Sequence, residues 1–263
     1  MLPLGLLVLG LVAGVLSGMF GIGGGLIIVS SLVVFGGFSL TAANGTSLAV
    51  LLLPVGIFAC IEYYKAGKLK LVASGGVALG LLLGAWFGAR IALGLDPLLL
   101  KQLYGVFLLY MAWRYISPRQ WWQEYRGMKL EKAPDSPEIE LRQPRVLALL
   151  VAIGFVAGIA SGLFGIGGGV VIVPALTTLL AFELKLATGT SLGALLLPVG
   201  LPGVIEYASA GLVDVTSVLP IALGLAIGAI FGARFALGLP AQTVRRLYGL
   251  FLLFIGIRFI FNL

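Results

Sequence analysis

The stretch GVLSGMFGIGGGLIIVSSL, Gly14 to Leu32, returns as GIASGLFGIGGGVVIVPAL, Gly158 to Leu176, with 12 of 19 positions identical and a fixed offset of 144. The same offset carries NGTSL at Asn44 onto TGTSL at Thr188 and LPVG at Leu53 onto LPVG at Leu197. It also carries IEY at Ile61 onto Ile205, FGAR at Phe87 onto Phe231, and LYG at Leu103 onto Leu247. Apolar sequences resemble one another by chance, but not in one gapless register across so many glycines and polar side chains. The chain therefore contains two copies of a unit of about 119 residues.

Both copies are too apolar for a water-soluble domain. Of 263 residues, 60% are hydrophobic and 10% charged, and the mean hydropathy is +1.14. Apolar runs occupy roughly 3–35, 41–61, 71–95, 98–116, 146–181, 187–205, 215–239 and 243–262. Most approach or exceed the ~20 residues that cross a ~30 Å hydrocarbon core. The expected fold is an all-α polytopic membrane protein of two homologous repeats, 1–116 and 146–263, joined by a charged cytoplasmic linker, 117–145. Trp121 and Trp122 in that linker are expected at the lipid interface, and no Lys or Arg precedes Lys65 to form the basic start of a cleavable signal peptide.

The absence of histidine removes imidazole metal sites, His triads and histidine proton relays, and the single Cys60 forms no intrachain disulfide. No Cys/His, Asp/Asp or Ser/Lys set lies within the apolar runs, so an intramembrane enzyme is not expected, nor a cofactor or metal. The net charge of +7 would suggest nucleic acid in a soluble protein. Between apolar runs, basic residues report topology instead. If the two glycine-broken runs return to the side they came from, the repeats are inverted and 14 Lys and Arg lie inside against 3 outside. If every run crosses, the repeats are parallel and the count is 11 to 6. The inverted arrangement is favoured, with both termini outside.

Five glycines in the middle of an apolar run each weaken a helix by roughly 1 kcal/mol relative to alanine. Broken or re-entrant helices are therefore expected there, and irregular backbone at that depth must be buried or line a polar cavity. Amide groups of the loops, and the helix N-termini that follow, can face an anion. The candidate substrate-binding set is Ser17, Gly23, Gly24 and Gly25 with Ser161, Gly167, Gly168 and Gly169, close packing of helices being the alternative role for these small residues. Asn44, Thr46 and Ser47, with Thr188, Thr190 and Ser191, offer neutral donors or, alternatively, helix caps. Glu62 and Glu206 are candidates for proton coupling or interfacial anchors. Arg90 and Arg234 either draw anions to the entrance or snorkel to headgroups. Cys60 reads as a packing residue.

Through SGMFGIGGG, SGLFGIGGGVVIVP, the TS-containing helix starts followed by proline, and the GAxFGAR segments, both halves resemble the TauE/SafE family of sulfite exporter-like permeases. Ser30 stands where the second copy has Pro174 and the family its VP pair. The resemblance implies transport of sulfite, sulfoacetate or another small organosulfonate across the bacterial inner membrane without a redox cofactor. A small anion, the bilayer and a second copy of the chain are the partners to expect. An anion channel and a permease for a non-sulfur carboxylate are the alternatives. Scarcity of lining charge speaks against the channel.

Overall fold

The computed structural model describes residues 3–116, 141, 143–238 and 241–261. Nearly all of the 117–145 linker, with Trp121 and Trp122, lies outside the described residues. Those described form twelve helices and no strand. In the first repeat these are α1 (Pro3–Phe20), α2 (Gly25–Gly36), α3 (Leu40–Leu52), α4 (Ile57–Lys65), α5 (Leu71–Gly94) and α6 (Pro97–Ile116). In the second they are α7 (Pro144–Phe164), α8 (Gly169–Leu179), α9 (Leu184–Leu195), α10 (Leu201–Ser209), α11 (Val215–Gly238) and α12 (Ala241–Phe261). Hydrocarbon offers the backbone no hydrogen-bond partner, so an apolar chain satisfies itself as helix. By length and composition α1, α5, α7 and α11 can each cross a membrane, and α3 with α4, bent by 52° at the break between them, is long and apolar enough for either a broken fifth span or a re-entrant loop. The 24 residues of α5 and of α11 extend about 36 Å.

Two compact units emerge, and each draws on both repeats. The first comprises the described residues within 1–94 and 136–238; the second, those within 95–135 and 239–263, is built on α6 against α12, where the Tyr104 and Phe259 rings meet edge to face at 5.1 Å.

In the first unit the long helices exchange partners between repeats. Helix α1 lies along α11 and α5 along α7. Glycine at every fourth position makes this possible. A Cβ on Gly14 would stand 2.3 Å from the Leu225 carbonyl oxygen, and one on Gly84 would stand 2.2 Å from that of Phe155. Gly10, Gly14 and Gly18 meet Ile221, Leu225 and Ala229 in ascending order, so α1 and α11 run in the same direction. Backbones that approach this closely gain dispersion contacts that lipid cannot match, as in small-xxx-small helix pairs.

Proline sets the bend between α3 and α4. Pro54 lacks an N–H and its ring clashes with the carbonyl four residues back, while Leu53 before it is extended at φ −69°, ψ 147°. Pro198 stands at the equivalent break between α9 and α10. Helix α3 begins earlier than the polar cluster suggested. Ser39 is its N-cap and accepts from the Ala42 N–H at 3.2 Å, so Asn44, Thr46 and Ser47 lie inside the helix and are not its caps. Helix α9 likewise begins at Leu184, ahead of Thr188.

Candidate functional site

At the end of α1 the chain reverses through Gly21–Gly24. Gly24 takes φ 80°, a left-handed conformation that glycine adopts without strain, and lies against the Ala13 carbonyl, two turns back along α1. Gly168, at φ 84°, lies against Ala157 in the same way. Each break is thus a hairpin whose following helix, α2 or α8, starts with no side-chain cap. The hairpins touch: a Cβ on Gly25 would stand 2.5 Å from the Gly165 carbonyl oxygen, and one on Gly169 would stand 2.2 Å from that of Gly21.

Side chains of one repeat hold the hairpin carbonyls of the other. Ser47 Oγ donates to the Gly165 carbonyl at 2.6 Å, and Ser191 Oγ to that of Gly21 at 2.8 Å. Within each repeat Tyr63 donates to the Gly18 carbonyl at 3.0 Å and Tyr207 to that of Gly162 at 2.8 Å. Thr46 Oγ1 accepts from the Asp214 N–H at 2.9 Å, and Thr190 Oγ1 from the Lys70 N–H at 3.3 Å. These bonds are reciprocal: a residue of each half reaches the position in the other half equivalent to the one its own counterpart reaches. Asn44 breaks the pattern. Its Nδ2 donates to the Leu163 carbonyl at 2.7 Å, its Oδ1 is buried without a hydrogen-bond partner among the described residues, and Thr188 occupies the equivalent place beside Gly21.

Between the hairpins and the two helix breaks lies a cavity of about 510 Å³ including its open mouth. Six pairs of equivalent residues line it: Ser17 and Ser161, Gly23 and Gly167, Leu48 and Leu192, Leu51 and Leu195, Val55 and Val199, Gly56 and Gly200. Its walls are leucine, valine and glycine, its side-chain donors the two serines, and no charged residue lines it among the described residues. Of the sequence-derived set, Ser17, Gly23, Ser161 and Gly167 face this space. Gly24, Gly25, Gly168 and Gly169 form the hairpins behind it. Asn44, Thr46, Ser47, Thr188, Thr190 and Ser191 are buried around the hairpins and do not line the cavity.

The four charged candidates pair across repeats. Arg234 reaches Glu62 Oε1 through Nε at 3.2 Å and Nη2 at 3.1 Å, and Arg90 Nε reaches Glu206 Oε1 at 3.3 Å. Sequence reasoning treated these residues singly. It also passed over Tyr63, Tyr207 and Trp86, although the duplicated IEY motif carried the tyrosines in plain view.

An all-helical chain with several apolar spans and a cavity built equally by two repeats is a multi-pass membrane protein of the transporter class. The chain belongs to the sulfite exporter TauE/SafE family, whose model matches residues 6–259. It is similar to the probable membrane transporter protein YunE of Bacillus subtilis, 27% identical over 98% of this chain and 97% of that one. A probable membrane transporter protein of Methanocaldococcus jannaschii is 30% identical over 89% of this chain and 84% of its own length. One of Haemophilus influenzae is 28% identical over 95% of each. No solved structure matches.

Proposed function

We propose that the protein is a secondary transporter or facilitator that moves a small sulfur-containing anion, sulfite, sulfoacetate or another organosulfonate, across the inner membrane by alternating access. The observation that carries this reading is the cavity, lined by six equivalent pairs at the junction of two glycine hairpins. The Ser17 and Ser161 hydroxyls and the hairpin amides supply neutral donors, which hold an anion without the tight grip of a buried arginine. Leucine and valine walls suit a substrate with a carbon body. Efflux of a monovalent anion gains about 2.3 kcal/mol per 100 mV from a negative interior.

Inverted repeats are part of the proposal, and two ion pairs support them. Glu62 lies three residues before Lys65, on the inner side in either arrangement, and it pairs with Arg234. Lys68, also inner, pairs with Glu183, two residues before Lys185. The inverted arrangement puts both members of each pair inside. The parallel one separates them by a ~30 Å core.

The test is flux into proteoliposomes of purified protein, with sulfite, sulfoacetate, sulfate and a carboxylate as cargo, under a potassium-diffusion potential and under a pH gradient. Saturable sulfonate counterflow is expected. Conductance without counterflow would make the protein a channel, and flux of the carboxylate alone would remove sulfur from the proposal. The same anions should raise the unfolding temperature in detergent by mass action.

A further inference from the structure

Of the three ion pairs that cross between the repeats, the two that hold α4 and α10, Glu62–Arg234 and Glu206–Arg90, are alike in every residue that the duplication copies and unlike in one that it does not. Glu62 and Glu206 sit on α4 and α10, the distal halves of the two broken helices, while Arg234 and Arg90 sit on α11 and α5 of the opposite repeat. The breaks at Val55–Gly56 and Val199–Gly200 line the cavity. Each pair therefore helps tie down a helix half that follows a break at the cavity wall, in addition to the buried Tyr63 or Tyr207 bond on the same half.

At the Glu206 end a second donor is present. Trp86 Nε1 donates to Glu206 Oε1 at 2.9 Å, and the Arg90 guanidinium lies over the Trp86 ring at 4.4 Å. Trp86 and Arg90 are four residues apart on α5, so one turn of helix holds the glutamate twice. The residue equivalent to Trp86 is Ile230, which can neither donate nor stack. Among the described residues Glu62 is held by Arg234 alone, an arginine 65% exposed and subject to solvent screening. The indole donor does not depend on the arginine and survives its departure.

We propose that Trp86 is a positioning residue that makes the two closures unequal, so that the Arg90 end stays shut while the Arg234 end opens first. This rests on the alternating-access reading above. With the inverted arrangement the resting cavity faces inward, ready to load from the cell interior.

The experiment uses the full chain with Cys60→Ala and a reporter, Val55→Cys, on the cavity wall. Its alkylation by a membrane-impermeant maleimide is measured in right-side-out and inside-out vesicles, and the ratio of rates reports the population open to each face. Trp86→Ile should move the ratio about tenfold toward the outer face, equivalent to about 1.4 kcal/mol. Trp86→Phe, which keeps a ring but loses the donor, should move it part of the way. Trp86→Ile with Ile230→Trp should carry it past equality. A ratio indifferent to all three, with the reporter labelled from both faces, overturns the bias and leaves alternating access standing. A parallel rise in labelling from both faces, with a lower unfolding temperature, makes Trp86 a packing residue and overturns the proposal. Labelling from one face alone in every variant overturns both readings.

Discussion

Around the hairpins the two copies make the same bonds: Ser47 and Ser191 to facing carbonyls, Tyr63 and Tyr207 to the ends of α1 and α7. At the helix ends they do not. Lys68 pairs with Glu183, but the equivalent positions hold Leu212 and Ser39. Asp214 accepts from the Thr216 N–H at 3.1 Å and the Ser217 hydroxyl at 2.6 Å, whereas Lys70 and Ala73 stand at the positions equivalent to Asp214 and Ser217. A bond shared reciprocally by two copies needs both sets of residues, so the duplication keeps them. A side chain at a helix end that takes no part in a reciprocal bond is free to change sign. Likeness at the centre and divergence at the ends thus separate what the cavity requires from what the membrane requires.

The harshest way to break the likeness is Gly84→Leu or Gly14→Leu. A Cβ would meet a backbone oxygen at 2.2 or 2.3 Å, and neither helix can yield without parting the pair. Loss of monodisperse protein on size-exclusion chromatography is expected for both, and survival of one alone would show that the two helix pairs are not equivalent. Ser47→Ala and Ser191→Ala each leave a hairpin carbonyl without its hydroxyl donor, at a cost of about 1–3 kcal/mol. Their falls in thermal stability in detergent should match, and a clear inequality would break the comparison at its centre.

At the ends the expected effects are smaller and one-sided. Asp214→Ala removes the cap of α11, worth about 1 kcal/mol. Hydrogen bonds from Ser217 and Thr216 hold the Asp214 carboxyl below its ordinary range. Its contribution is therefore complete above an unfolded value of about 3.9 and fades as pH falls through the lower folded one. The stability difference between wild type and Asp214→Ala should shrink on acidification, and Lys70→Ala should show no such convergence. The mildest test is Asn44→Thr, which copies the second repeat. It removes the donor to Leu163 together with the unpartnered Oδ1, and a net change below about 1 kcal/mol by thermal unfolding is expected. A larger loss would give Asn44 a role that Thr188 lacks.

Much of the centre was legible because glycine acts through the backbone, which any tertiary context must respect. GIGGG announced the hairpins, whereas the breaks at Pro54 and Pro198 fall inside runs 41–61 and 187–205 that read as unbroken. The polar side chains were harder to read. A serine inside an apolar run has no local signature that tells a ligand donor from a bond to a carbonyl 118 residues away, and Ser47 makes the latter. Helix pairing was half visible: glycines four apart at 10, 14 and 18 and at 224, 228 and 232 mark close approach, but their periodicity does not name the partner. Glu62 and Arg234 stood out separately, and nothing in either local sequence names the other as its partner.

The serine bonds between hairpins carry a consequence for biogenesis. Ser191 reaches Gly21 across 170 residues, and Ser47 waits for Gly165. When the ribosome has delivered only the first repeat to the insertion machinery, the Gly21 carbonyl and the Ser47 hydroxyl lie in the bilayer without these partners, and the glycine face of α1 lacks α11. The nascent half consequently keeps these groups and that glycine face uncovered until the second half arrives.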